Sequence, residues 1–325
     1  MNYYLGIDTS CYTTSLALLD ETGKIHADLR KILQVKSGGR GLSQSEMVFQ
    51  HTRNLPDLFE ELTTSLQRQL ASVVAVGVSA YPRPQPDSYM PAFLVGTGYA
   101  RVVAGLLDAA LVNLSHQENH IGSGLRSAGG PYGQEFLALH LSGGTTEIVN
   151  VNLTDIQNAQ ITILGETEDL HAGQFIDRVG VALGLSFPAG PELESLALAS
   201  TSPLKIPFTV RNLNVSFSGP ETHVQRLIAN GNPPADIAAG TLKCIASAVS
   251  CILREASLQT GLTEILVVGG VSENIYIRNF LLQSLANEKI KLFFTEPSYS
   301  RDNATGAAFW AQRRTQFPPP AHNIK

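Results

Sequence analysis

Charge is scarce in this sequence, and basic charge is the scarcer kind. Only 16% of the 325 residues are charged, and 23 Lys and Arg stand against 28 Asp and Glu, a net charge of -5. Neutralising a nucleic-acid backbone takes clustered cations, so this balance argues against a dedicated nucleic-acid binder; such a contact would be local or carried by a partner protein. No acidic or basic run suggests a charged tail. Cysteine is nearly absent: Cys11, Cys244 and Cys251 are an odd set with no disulfide-framework spacing. Cys244 and Cys251 lie seven apart in an apolar stretch, which reads as two core positions on one helix face. The N-terminus has no basic region followed by a long apolar run, and no stretch reads as the ~20 apolar residues of a membrane span. These absences leave a soluble, reduced, cytoplasmic protein with no membrane contact as the expectation.

What is present is apolar material in quantity, 43% of the chain, enough for two cores. Residues 3–8 and 14–19 read as strands joined by a polar turn. Helical spacing of Val48, Leu55, Leu58, Phe59 and Leu62 predicts a helix over 43–68. A buried strand follows at 73–78, then a long apolar helix over 94–113. From residue 136 the opening pattern returns. Ser10 to Leu16 and Ser142 to Ile148 both read S-x-x-T-T-x-apolar, and both lie between apolar strands. This is an internal duplication, and it implies two similar α/β domains facing each other across a cleft. Helices are expected at about 169–183, 235–259, 274–286 and 303–314, with a strand at 265–268. The domains are placed at 1–130, completed by the helix near 303–315, and at 131–300. A Pro-rich tail covers 316–325.

Several residues suit chemistry. Ser142-Gly143-Gly144 has the composition of an anion nest, in which backbone N–H groups converge and missing side chains admit a phosphate. The plainer reading is a tight turn whose glycines take positive φ. Gly269-Gly270, between a strand and a helix, is a weaker candidate of the same kind. His116 and His120 are four apart, which on a helix sets both imidazoles on one face, as in many divalent-metal sites; the alternative is an exposed, solvated pair. Glu118 is not adjacent to His116, so the H-E-x-x-H arrangement of a zinc protease is missing.

These motifs, in order from Gly6 to about Trp310, resemble the TsaD-type tRNA threonylcarbamoyladenosine synthase subunit, once misnamed a glycoprotease. Gly6 to Cys11 is similar to that family's opening strand and turn, and Ser115 to His120 carries its H-x-x-x-H. Leu141 to Thr146 is similar to its S-G-G-x-T loop. Gly165-Glu166-Thr167 through Ala172-Gly173 to Asp177 matches its next run, and Pro188 to Pro191 resembles its P-G-G-P. Val215 to Gly219, Gly269 to Asn274 and Asp302-Asn303 complete the set. The resemblance implies the actin/Hsp70/sugar-kinase (ASKHA) fold, with two duplicated domains. It implies His116, His120 and Asp302 as ligands of Fe(II) or Zn(II). His140, Leu141, Ser142, Gly143 and Gly144 would serve the nucleotide, Asp177 and Gly190 the ribose, and Asn274 the nucleoside. His140 is also a possible fourth metal ligand, or else a strand residue in the cleft wall. The implied activity is metal-dependent transfer of a threonylcarbamoyl group, or a carbamoyl group, from its AMP adduct to the tRNA adenosine next to the anticodon. The implied partners are an adenine nucleotide (AMP adduct or ATP), tRNA through a partner protein, and a TsaB-like subunit.

The sequence also departs from that family. Where its signature reads C-D-E-T, this chain has Cys11-Tyr12-Thr13-Thr14, without either acid. Thr145, Glu221 and Ala304-Thr305-Gly306 differ as well. These changes point to a paralogue, and they keep open a non-catalytic nucleotide-binding partner subunit. A small-molecule kinase or ATPase, with Asp8 holding Mg²⁺, rests on fold analogy alone.

Overall fold

In a computed structural model, the described residues are 1–35, 42–85 and 87–316, and they form two compact units. The first comprises Met1–Gly129, Thr154–Ala159 and the chain from Arg301 onward. The second comprises Gly130–Leu153 and Gln160–Ser300.

The first unit is built on strands β1 (Tyr3–Asp8), β2 (Thr13–Asp20), β3 (Ile25–Ile32), β4 (Val73–Tyr81) and β5 (Ala110–Ser115), in the order β3-β2-β1-β4-β5. β1 and β2 are buried throughout, as expected of strands covered on both faces. On one face Leu5, Ile7, Leu16 and Leu18 pack with Leu55, Leu58 and Leu62 of α1 (Gln44–Leu70) and with Ala100 and Ala104 of α2 (Ala92–Leu107). The predicted helix over 94–113 is therefore two elements. Asp108 takes a left-handed conformation, φ 50°, and ends α2, after which the chain pairs in parallel with β4. Strand pairing overrides an apolar run that looks helical by periodicity. α3 (His116–Ser127) follows directly from β5.

The second unit repeats this plan with β6 (Glu135–Leu141), β7 (Thr146–Asn152) and β8 (Gln160–Glu166). α4 (Ala172–Ala182), α5 (Gly190–Ala197), the short hairpin β9 (Thr209–Arg211) and β10 (Asn214–Ser216), α6 (Ser218–Ala229) and α7 (Pro234–Thr260) intervene. β11 (Glu264–Val268), a 3₁₀ turn (Gly270–Glu273), α8 (Ile275–Ser284), β12 (Lys291–Phe294) and α9 (Pro297–Ser300) complete it. The sheet order is β12-β11-β6-β7-β8. Relabelled from the start of each unit, both sheets run 3-2-1-4-5, with two antiparallel pairings followed by two parallel ones.

α7 is long and apolar enough to cross a membrane by composition, which the sequence reading missed; it is instead the buried core helix of the second unit. Within it Cys244 is buried but Cys251 is exposed, so the expectation of two core cysteines fails at the second. The last described helix, α10 (Thr305–Gln316), returns to the first unit and lies across β1 and β4. Glycine allows this crossing: a Cβ on Gly6 would sit 2.1 Å from the Ala304 carbonyl, and one on Gly77 2.1 Å from that of Ala307. α10 takes in Gln316, where the sequence reading begins a tail, and 317–325 lies outside the described residues.

Candidate functional site

α3 begins with a complete capping box. The Ser115 hydroxyl accepts from the Glu118 amide, and the Glu118 carboxylate accepts from the Ser115 amide at 2.6 Å. The cap fixes where the helix starts, so His116 and His120 fall on its first two turns. Neither is the exposed residue of the plainer reading, since their side chains are 13% and 4% accessible. Glu118 also accepts from Arg314 of α10 at 2.6 Å, and its backbone carbonyl accepts from Trp310 Nε1.

A second set of bonds brings Asp302 to the same place. In the loop before α10, the Asn303 carbonyl accepts from Asn119 Nδ2 at 2.7 Å, and Asn303 Oδ1 accepts from the Ser123 hydroxyl at 3.1 Å. Asn119 and Ser123 flank the histidines on α3, and the sequence reading missed both. Their spacing along the histidine-bearing helix was the available signal.

The result is a triangle of ligand atoms. His116 Nε2 and His120 Nε2 are 3.1 Å apart, and Asp302 Oδ1 lies 3.5 Å and 3.4 Å from them. Atoms bound about 2.0–2.1 Å from a tetrahedral ion are separated by about 3.4 Å, so the triangle fits one small divalent cation. Asp8, at the end of β1, stands behind it, fully buried. Its Oδ1 and His116 Nδ1 are both buried without a hydrogen-bond partner and are 3.6 Å apart, while its Oδ2 accepts from Ser10. Cys11 is the residue the sequence reading did not count as a ligand. Its sulfur and ligand atoms of His116 and Asp302 all lie within 4.8 Å of one another.

The electrostatics of the cluster are those of a paired set. Burial opposes charge on His116, but the carboxylates of Asp302 and Asp8 beside it outweigh that and push its pKa up to about 10. Burial likewise opposes the Asp302 charge, and the two histidines still hold it well below the usual carboxylate range. Burial, then the charges of Asp302 and Asp8, push the Cys11 thiol well up.

The nucleotide candidates belong to the second unit. Ser142, Gly143 and Gly144 form the β6–β7 turn, closed by Ser142 N donating to the Thr145 carbonyl at 2.8 Å. Neither glycine takes the positive φ that the plainer reading gives it, although the turn itself is tight. A Cβ on either would meet open space, which leaves the turn bare to an approaching group. The first turn of α4 lies against it: Gly173 N donates to the Ser142 carbonyl, and Ala172 N to Thr146 Oγ1. Leu141 is wholly buried in the core, so only its backbone is available to a ligand. His140 sits across the ladder from Glu147, Nδ1 to Oε1 3.7 Å.

Asp177 accepts from Ala189 N at 2.8 Å, next to Gly190, and burial raises its pKa. Asn274 Oδ1 accepts from Ile277 N, so half of its side chain caps α8. Between α5 and α8 runs a cavity of about 500 Å³ lined by Pro191, Glu194, Leu198, Ile275, Tyr276 and Phe280 among others.

Comparison with solved structures bears on the fold alone. HypF of T. kodakarensis superposes with a TM-score of 0.66 at 15% identity, over 96% of this chain and 48% of that one. A ROK family glucokinase from Streptomyces griseus is also similar, with a TM-score of 0.52 at 13% identity over 96% of this chain and 100% of that one, so the fold is of the actin/Hsp70/sugar-kinase type. Sequence says more. A tRNA N6-adenosine threonylcarbamoyltransferase of Thermus thermophilus is 30% identical over 98% of this chain and 95% of its own length. The "probable bifunctional tRNA threonylcarbamoyladenosine biosynthesis protein" of Thermoplasma volcanium is 27% identical over 92% of this chain, which spans 54% of that relative. A model of the TsaD family, tRNA N6-adenosine threonylcarbamoyltransferase, matches residues 34–309. That span takes in β4 and β5 of the first sheet, all of the second sheet, and the His116, His120 and Asp302 positions, and by it the chain belongs to the TsaD family.

Proposed function

We propose that this protein transfers a threonylcarbamoyl group from its AMP adduct to the exocyclic amine of a tRNA adenosine, and that it uses one Fe(II) or Zn(II) ion to do so. The observation that carries the reading is the triangle of His116, His120 and Asp302, whose edges of 3.1, 3.4 and 3.5 Å suit a single ion. Such an ion would act as a Lewis acid toward the carbamoyl oxygen. In the second unit, the bare Ser142-Gly143-Gly144 turn suits the phosphate of the adduct. In this reading Asp177, bonded to the Ala189 amide, and the neighbouring Gly190 serve a ribose, and Asn274, one residue before the cavity-lining Ile275, serves the nucleoside. In the reaction the amine nitrogen bonds to the carbamoyl carbon and the carbon–oxygen bond to AMP breaks. AMP leaves with the electron pair, and one amine proton passes to solvent. The missing H-E-x-x-H speaks against protease chemistry. With so few cations, the tRNA would be recruited together with a partner, a TsaB-like subunit being the natural one. Division of labour between a unit near 1–130 and one near 131–300 is part of the same reading.

A second reading is a nucleotide-binding partner subunit without activity, and Tyr12-Thr13 in place of two acids is the feature that favours it. The test is a transfer assay with anaerobically purified protein, threonylcarbamoyl-adenylate generated in place, unmodified tRNA and mass analysis of nucleosides. Threonylcarbamoyladenosine as product is the expected result. Metal and AMP bound without product would turn the reading toward another acceptor, and no binding of either toward the partner subunit.

A further inference from the structure

The β1–β2 turn of the first unit presents one side chain with metal-binding chemistry beside the histidine–aspartate triangle. Ser10 is engaged with Asp8, and Tyr12 is 38% exposed. Cys11, between them, keeps its sulfur within 4.8 Å of ligand atoms on both His116 and Asp302. Here it joins two residues already aimed at one point, and the buried, unpartnered Oδ1 of Asp8 is directed at the far nitrogen of His116. A carboxylate behind a ligating imidazole is the usual support of a metal-bound histidine. It leaves Nε2 facing His120 and Asp302, 3.1 Å and 3.5 Å away.

We propose that the Cys11 thiolate is a further protein ligand of the ion held by His116, His120 and Asp302. The site then has two imidazoles, one carboxylate and one thiolate. On binding, the S–H bond breaks, its proton goes to the buffer, and a sulfur–metal bond forms. A divalent ion with one carboxylate and one thiolate is formally neutral, which suits a site walled by buried strands. The thiolate biases the site toward zinc, iron(II) or cobalt(II) and away from magnesium, which prefers oxygen. It also gives the turn a ligand where the family's acidic pair is missing.

The inference rests on the triangle being a metal site, and the experiment separates the two. Full-length protein is stripped of metal and titrated anaerobically with cobalt(II), following the visible d–d bands and the near-ultraviolet thiolate-to-cobalt band. Wild type is expected to bind one cobalt and to show both. Cys11→Ser is expected to keep cobalt and the visible bands, lose the near-ultraviolet band, and bind on the order of 10–100-fold more weakly, as loss of even an outer partner does. Cys251→Ser is expected to behave as wild type. One equivalent of cobalt in wild type with no thiolate band, or a band that survives in Cys11→Ser, overturns the Cys11 assignment and leaves the triangle intact. Wild type that binds no cobalt overturns the triangle and the assignment together. Circular dichroism of Cys11→Ser confirms that it is folded.

Discussion

At the scale of single residues, the site depends on groups that touch no substrate. Asp8 is the clearest of them. If it holds His116 by Nδ1, Asp8→Ala should weaken cobalt or zinc binding by roughly 10–100-fold, and Asp8→Asn, which still accepts a hydrogen bond, by less. Competition against a chromogenic chelator reads both, and equal affinities for wild type and Asp8→Ala would sink the idea. Titration offers a second check. In metal-free protein His116 is raised to about 10, so the stability it lends is fully present below its unfolded value near 6.5 and is lost as pH rises through about 10. Urea midpoints of metal-free wild type should therefore fall between pH 7 and pH 10, and that decline should shrink in His116→Gln. The histidine pair was legible in the sequence because i,i+4 spacing is a local property of a helix. Cys11 was not, because a ligand in a turn has no period to betray it, and its neighbours come from 105 and 291 positions further along.

At the scale of elements, the crossing of α3 and α10 decides whether the ligands meet. A Cβ on Gly306 would lie 1.8 Å from the Asn119 carbonyl, and one on Gly122 2.7 Å from Trp310 Nε1. Arg314 locks the crossing: its guanidinium donates to Glu118 at 2.6 Å and to the carbonyls of Ile156 and Asn113. The Arg314 and Glu118 side chains are only 10% and 5% accessible. Arg314→Ala should cost about 3–5 kcal/mol by taking the counter-ion from the buried Glu118 carboxylate, which keeps only its bonds to Ser115. Arg314→Lys should recover little of it, because an ammonium cannot span three acceptors set out for a planar fork. Denaturant unfolding measures both, and a loss under about 1 kcal/mol for Arg314→Ala would refute the lock. Sequence reading caught the long amphipathic helices and the first two strands, where periodicity is sustained. It ran α2 and β5 together, since only pairing with β4 makes Ala110–Ser115 a strand. It had no view of β9, β10 and β12, which are three or four residues long. A stretch that short shows too little alternation to read.

At the scale of the whole molecule, the repeated hairpin was the most informative feature of the sequence. S-x-x-T-T at Ser10 and at Ser142 marks the same turn in two sheets of one topology. The two copies have since diverged, with Asp8 and His140 at matching positions, and Ser15 opposite one and Glu147 opposite the other. A metal that ties α3 to the loop before α10 should also stabilise the fold. At a free concentration a hundred times its dissociation constant it would add about 2.7 kcal/mol. Thermal unfolding with and without a chelator should show a drop in wild type and none in His116→Ala. The same drop in both would place the stabilising ion elsewhere.

The route of the chain gives this site a place in time as well as in space. Asp302 and α10 enter the first unit only after the 171 residues from 130 to 300 have been made. At typical synthesis rates of about 5–20 residues per second, that interval is roughly 10–30 s. For that long, a growing chain holds its histidine pair without Asp302 and a sheet without its crossing helix. A chain cut short anywhere before Asp302 is left without the carboxylate corner of the triangle.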